Sequence, residues 1–373
     1  MTRLLSIERL RQRGARNLKP AEFHFSPGLN VFWGDNGQGK TSLLEALVLA
    51  TTGRSFRTDQ ARDIIAYDAL ATTVEVVVVD SGLTRTQRVE MGKGRKVTTI
   101  DDKRIPRAAD YAVRTPVVVF HPADLDLVSG PAALRRTLLA RVSLYLEPFT
   151  FDSHKAYLMA LRERQRLLLD RGPNAPSLAA FEQVAAEHGV IVTAANARAA
   201  RQLIESLQPV LTRLAPEHMR LEIDHLAFGT TNVQQFCQEL KEHRQRDQIR
   251  GRPLYGPQRD DLQLRLDGAD ARRHASQGQQ RLLALALKLA ELASIRTVRS
   301  VHPILLLDDV SSELDPHRTG ALREWLNESE SQVFITTTRW QSNNDYLGRS
   351  IAPRFFRLNG GVAEQETPLS ATS

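Results

Sequence analysis

The sequence predicts an α/β protein whose core is assembled from both ends of the chain, with an α-helical lobe inserted between them. Three observations carry this expectation. An apolar run, a glycine-rich loop and an amphipathic stretch follow one another over residues 29–50, the strand–loop–helix order of a phosphate-binding turn. A second apolar run, Ile304-Leu305-Leu306-Leu307, ends in Asp308 and Asp309, as when a buried parallel strand delivers carboxylates to the edge of a sheet. Between the two, from about 131 to 250, leucine and alanine recur at helical spacing. The expected division is 1–125 and 253–373 as the two parts of one head, and 126–252 as the helical arm.

Taken in order, residues 4–10, 21–25 and 29–33 alternate well enough to predict three strands, with Arg16-Asn17 in the first turn. The helix after the glycine loop is expected over 42–50 and ends at Thr51-Thr52-Gly53. Residues 73–79, 83–90 and 95–100 read as an antiparallel meander turning at Ser81-Gly82 and at 92–94. This meander and its exit carry Arg85, Arg88, Lys93, Arg95, Lys96, Lys103, Arg104 and Arg107. Such a basic edge either discourages edge-to-edge association or meets nucleic acid. Residues 117–120 form a further buried strand. Helices are expected at 133–146, 154–169, 177–214 and 233–250, broken by Pro148, Gly172-Pro173 and Pro176. Their apolar stripes pack on one another. Lys241, Arg244, Arg246, Arg250 and Arg252 form either a solvated helix face or a DNA contact. Strands at 262–266 and 272–275, a long helix at 279–297, a buried strand at 332–337 and a hairpin of 354–358 with 362–365 complete the chain. The small, polar residues 367–373 are expected to fray.

Chemistry concentrates in Gly34-Asp35-Asn36-Gly37-Gln38-Gly39-Lys40-Thr41. Glycines let backbone N–H groups wrap a phosphate, and the helix N-terminus adds partial positive charge. Lys40 can reach β- and γ-phosphates, and the Thr41 hydroxyl can face Mg²⁺. Asn36, Gly37, Gln38, Gly39, Lys40, Thr41 and Ser42 are therefore the candidate contacts to a nucleoside triphosphate such as ATP. Asp308 is expected in the Mg²⁺ shell with Thr41, and Asp309 is placed to orient or deprotonate the attacking water. Lys40, Asp308 and Asp309 form the candidate catalytic set. Thr41 and Asp308 stand 267 positions apart, far more than a compact domain of this kind needs.

Composition bounds the rest. The 373 residues carry a formal net charge of +7, compatible with a polyanionic partner or with an ordinary solvated surface. Cys237 is the sole cysteine, which excludes an intrachain disulfide and a cysteine zinc site and fits a reducing cytosol. The start lacks the long apolar run of a signal peptide, and no window approaches the roughly 20 apolar residues of a membrane span. A cytoplasmic protein without a membrane partner is expected.

Ser276-Gln277-Gly278-Gln279-Gln280 precedes the long helix and reads as a capping box, Ser276 at the N-cap and Gln279 three residues on. A capped helix start beside a glycine is also suited to an anion. Together with this stretch, the chain resembles the RecF family of bacterial recombination mediators, within the ABC-type ATPases that include SMC heads. The resemblance runs through Arg16-Asn17, the 34–41 loop and Phe120-His121-Pro122-Ala123-Asp124-Leu125. It continues in Tyr255-Gly256-Pro257-Gln258-Arg259-Asp260-Asp261-Leu262, 275–291, 305–315 and Thr336-Thr337-Thr338. Gln258 stands where the family pattern has His, and Ala140 where it usually has Asp.

The resemblance implies an ABC-type head with a weak DNA-dependent ATPase, acting near the nucleoid in repair, recombination and replication. It implies that Arg16 and Asn17 also approach the nucleotide. It further implies that Ser276, Gln277, Gly278 and Asp315 meet the γ-phosphate held by a second copy, giving an ATP-dependent homodimer. The implied partners are double-stranded DNA at single-strand gaps, RecR and RecO. The alternatives are the nucleotide-binding subunit of a transporter, a long superfamily tether, or a phage-defence ATPase. A transporter subunit would usually carry Glu at 309 and a switch His near 336–338, and a tether would have a longer arm.

Overall fold

The computed structural model describes residues 2–215, 219–309, 320, 322, 324–326, 328–338 and 353–366. Ser311–Asp315 and the 367–373 tail therefore lie outside the described residues. The chain forms two compact units, one of residues 1–125, 209–215 and 281–373, the other of 126–208 and 216–280.

Among the described residues the first unit holds two six-stranded sheets. One has the order β15-β14-β3-β13-β12-β8, built from β3 (Leu29–Trp33), β8 (Val117–Phe120), β12 (Ile304–Leu307), β13 (Val333–Thr337), β14 (Arg354–Asn359) and β15 (Val362–Glu366). All its neighbours pair in parallel except β14 with β15. β3 and β8 come from the N-terminal part and the rest from the C-terminal part, so the core is split as the sequence predicts. The second sheet is antiparallel, in the order β2-β1-β4-β5-β6-β7. Its strands are β1 (Leu5–Arg13), β2 (Ala21–His24), β4 (Ala71–Asp80), β5 (Leu83–Gly92), β6 (Arg95–Ile100) and β7 (Lys103–Arg104).

Helix α1 (Lys40–Thr52) is buried on almost every face, where amphipathic character was expected. One cluster explains it: Leu43, Leu44 and Leu47 of α1 pack with Ile7 and Leu10 of β1, Val74, Val76 and Val78 of β4, and Ile304 and Leu306 of β12. A helix covered on all sides needs apolar residues all round, and each buried leucine stabilises the fold by about 1.5–3 kcal/mol. The short α2 (Ala108–Ala112) adds the fully buried Tyr111 to this core. Gln332 closes a gap in the backbone ladder. β1 shifts register between Ile7 and Arg9, and the Gln332 amide bonds both Ile7 N (2.7 Å) and Ile7 O (2.8 Å) and donates to Ser26 O (2.7 Å).

The second unit is built on α3 (Asp126–Ser129), α4 (Ala132–Leu146), α5 (Thr150–Arg171) and α6 (Leu178–Leu214). α6 contains Pro209, whose missing N–H removes a helical bond, and the first unit claims the helix from that residue on. Next come β9 (Leu221–Leu226), α7 (Val233–Glu242), α8 (Arg244–Arg250), β10 (Asp261–Leu266), β11 (Ala269–Asp270), α9 (Ala271–His274) and α10 (Gln277–Arg299).

Four expectations change here. β9 is a strand absent from the helical reading, and it pairs with β10 in a third sheet, β11-β10-β9. Residues 272–275 were expected as strand, yet Ala271–His274 is a helical turn, because Asp270 caps it by accepting from Arg272 N at 3.0 Å. The expected helix 233–250 is two helices that meet at His243 (φ −83°, ψ −5°). Residues 253–280, expected in the head, group with the helical unit.

An ion network centred on the fully buried Arg164 and Asp247 ties this unit together. Arg164 donates to Glu182 (3.0 Å) and Asp247 (2.6 Å) and to the carbonyl of Leu240. Arg244 makes a two-pronged pair with the same Glu182. Arg244 is therefore a structural cation, which corrects its reading as part of a solvated or DNA-facing surface; Lys241, Arg246, Arg250 and Arg252 remain exposed.

Candidate nucleotide site

The loop between β3 and α1 is shaped by three glycines with positive φ: Gly34 (146°), Gly37 (81°) and Gly39 (109°). At Gly34 a Cβ would come within 2.4 Å of the Leu358 carbonyl oxygen, which excludes any side chain, while at Gly37 it would meet nothing. Lys40 opens α1, and its Nζ folds back to donate to the carbonyls of Gly34 (2.6 Å) and Asp35 (2.9 Å). Burial lowers the Lys40 pKa, opposed by the negative fields of Asp309, Asp308 and Asp35. The α1 N-terminus has Gly39 as its cap, no side-chain acceptor and no acid in its first turn. Its first N–H groups thus have no side-chain acceptor of their own, the condition an anion site at a helix start needs.

Across the sheet, β12 delivers Asp308. The Thr41 hydroxyl donates to Asp308 Oδ1 at 3.0 Å, and the Thr336 hydroxyl donates to the same oxygen at 2.7 Å. Burial raises the Asp308 pKa, and these two hydroxyls hold it down in part. The backbone turns left-handed at Asp309 (φ 52°), whose N–H donates to Thr336 Oγ1 at 2.9 Å. Residues from the two ends of the chain thereby meet at one sheet edge.

Asn17 also belongs to this assembly: its Nδ2 donates to Gly37 O (2.9 Å), and Ser42 Oγ donates to its Oδ1 (2.8 Å). Gln38 is held by Gly361 N, which donates to its carbonyl at 3.1 Å, whereas Asn36 is exposed. Arg16 has its fork occupied by Glu45, at 2.7 and 2.8 Å. Glu45 was missed by the sequence reading. Its signal was a lone carboxylate inside an otherwise apolar helical run.

Ser276, Gln277 and Gly278 lie in the second unit. The capping box forms as expected, with Gln279 N donating to Ser276 Oγ (3.3 Å) and Ser276 N to Gln279 Oε1 (2.8 Å). Ser276 and Gln277 are exposed at this helix start. Gln258, in the histidine position, uses both ends of its amide: it accepts from Tyr157 Oη and donates to Tyr255 O at 2.8 Å. Asp315 lies outside the described residues.

The loop fits a triphosphate, and Thr41 with Asp308 fits Mg²⁺, a cation commonly held by one or two protein oxygens plus substrate phosphates. No group of three or more His, Cys, Asp or Glu among the described residues could hold a metal by itself, and such a site needs none. Among the described residues no helix is long and apolar enough to cross a membrane.

Fold and site together define a P-loop ATPase head with a split core. The RecF/RecN/SMC N terminal domain family matches residues 6–346. A DNA replication and repair protein RecF of Heliobacterium modesticaldum is 33% identical over 368 residues, 96% of this chain and 98% of that protein. The structure of the recombination mediator protein RecF-ATP in the RecFOR pathway is similar with a TM-score of 0.85 at 26% identity, covering 98% of this chain and 100% of that one. A Pyrococcus furiosus Smc head domain shares the fold alone, with a TM-score of 0.57 at 16% identity over 97% and 96% of the two chains. The chain belongs to the RecF family and is an ATP-binding ATPase of the ABC type.

Proposed function

We propose that the protein is an ATP-gated DNA clamp of recombinational repair, closing as a homodimer on duplex DNA beside a single-stranded gap. The observation that carries this reading is the 3.0 Å bond between Thr41 and Asp308, which joins nucleotide-binding and metal-binding elements from opposite ends of the chain. Lys40 and the α1 N-terminus bind and orient the β- and γ-phosphates, and Asn17 holds the loop against Ser42. Thr41 and Asp308 are the residues that would hold Mg²⁺, which when bound neutralises charge on the transferring phosphate. Asp309 orients the attacking water. Hydrolysis is slow, is stimulated by DNA and opens the clamp.

Ser276, Gln277 and Gly278, with Asp315, complete the site of a second copy, so ATP rather than ADP drives closure. RecR and RecO are the expected protein partners, and the place of action is the cytoplasm at the nucleoid. The transporter reading is disfavoured by the family and by Asp309 and Thr336 in the positions discussed above. Gradient sedimentation tests the proposal. A shift to dimer with ATP-Mg²⁺, enhanced by gapped DNA and absent with ADP, is expected; a sedimentation rate indifferent to nucleotide would overturn it.

A further inference from the structure

The loop after α1 and the β5–β6 turn enclose a groove of about 510 Å³. Its floor includes Leu49, Ile64 and Met91, and its walls carry Arg54, Arg62, Lys93, Arg95 and Lys96 against a single acid, Asp59. On β5 of this sheet, Arg85 is paired with Asp80 (3.0 Å) and Arg88 with Glu75 (2.7 Å). Around the groove Arg62 lies 3.8 Å from Asp63, whereas the turn at 93–96 adds three cations and no acid. The side chains of Lys93 and Arg95 are exposed and form no ion pair with any described residue. Lys96 gives its ammonium only to the carbonyl of Gly53, at 2.9 Å. Burial and the repulsion of Arg54 lower the Lys96 pKa. A concave lining in which cations outnumber acids focuses positive potential and suits a run of phosphates.

The wall is also tied to the nucleotide site. Glu45, fully buried on α1, accepts from Ser55 Oγ and from Arg57 (3.4 Å) in the groove loop while it holds Arg16 in a two-pronged pair. The neighbour of Arg16 is Asn17, which bonds Gly37 and Ser42 of the P-loop.

We propose that this groove receives consecutive phosphates of the DNA backbone, and that Glu45 links its occupancy to the nucleotide state of the P-loop. The proposal rests on the DNA-clamp reading above. Its test is duplex binding by fluorescence anisotropy with the P-loop saturated by a non-hydrolysable ATP analogue, on wild type and on Lys93→Glu with Arg95→Glu. Affinity should fall more than tenfold and the slope of log K against log salt by about 2, with ATP binding unchanged. Inorganic tripolyphosphate, added to the same saturated protein, separates the two sources of phosphate. If the double variant loses tripolyphosphate but keeps duplex affinity, the DNA role of the groove is overturned. If it keeps both, the site itself is overturned. A wild type that binds tripolyphosphate at the groove and no DNA at all would overturn the clamp reading instead.

For the link, the ratio of duplex affinities with and without the ATP analogue is compared in wild type and in Ser55→Ala with Arg57→Ala. The pair should bring the ratio at least fivefold closer to one, as expected for a coupling of about 1 kcal/mol. An unchanged ratio would remove Glu45 from the path.

Discussion

The Lys40 ammonium is held in the loop by two carbonyls, and in the proposed site nucleotide binding turns on it. Lys40→Met keeps the apolar stem and removes the charge. A charged hydrogen bond of this kind is worth about 1.5–3 kcal/mol, so ATP affinity in calorimetry should fall by at least about tenfold and up to a few hundredfold. Wild-type affinity in the variant would remove the loop from the site. Asp309→Asn should leave ATP binding intact and slow turnover by about 10²–10⁴, the usual range for a general base; unchanged turnover in a steady-state assay would leave Asp308 as the acting carboxylate. A local sequence pattern names both positions, and both roles belong to the proposed function. Glu45 was not legible in this way, because its partners Arg16, Ser55 and Arg57 come together only when α1 is enclosed between two sheets.

The helices of the second unit show how far periodicity carries. It identifies α4, α5 and α6, whose apolar stripes recur over many turns, and it fails where an element is short or is decided by tertiary bonds. β9 alternates in Leu221-Glu222-Ile223-Asp224, yet six residues beside long helices gave a weak signal, and pairing with β10 decides the matter. The break at His243 similarly brings Asp247 onto Arg164. Arg164→Ala would leave Asp247 buried without its ion partner and Glu182 with Arg244 alone, and should destabilise this unit by about 3–5 kcal/mol. Arg166→Ala, which loses an exposed pair with Glu163, should cost under about 1 kcal/mol. Urea unfolding followed by circular dichroism compares the two; equal losses would show that the buried network contributes nothing special.

At the scale of the molecule, the split core brings residues of both chain ends to one sheet edge, and the start of α10 is the exposed element that we propose meets a second phosphate. The capping box satisfies two N–H groups of that start, while Ser276 and Gln277 stay open to a partner. In the proposed clamp, nucleotide is the adhesive between two copies, and only a nucleotide with a γ-phosphate reaches across. Ser276→Arg tests this without touching the P-loop, since a bulky cation at the helix start opposes the helix dipole and fills the space a partner's phosphate needs. ATP binding per chain should remain within about twofold of wild type, a difference below 0.5 kcal/mol. Light scattering with ATP-Mg²⁺ should give a dimer for wild type and a monomer for the variant, and removal of Mg²⁺ with EDTA should return wild type to monomer. Hydrolysis and retention of DNA should be lost together with dimerisation, because all three depend on the same closure. A variant that still dimerises with ATP, or a wild type that stays monomeric at high concentration, would show that the exposed helix start serves only to cap itself.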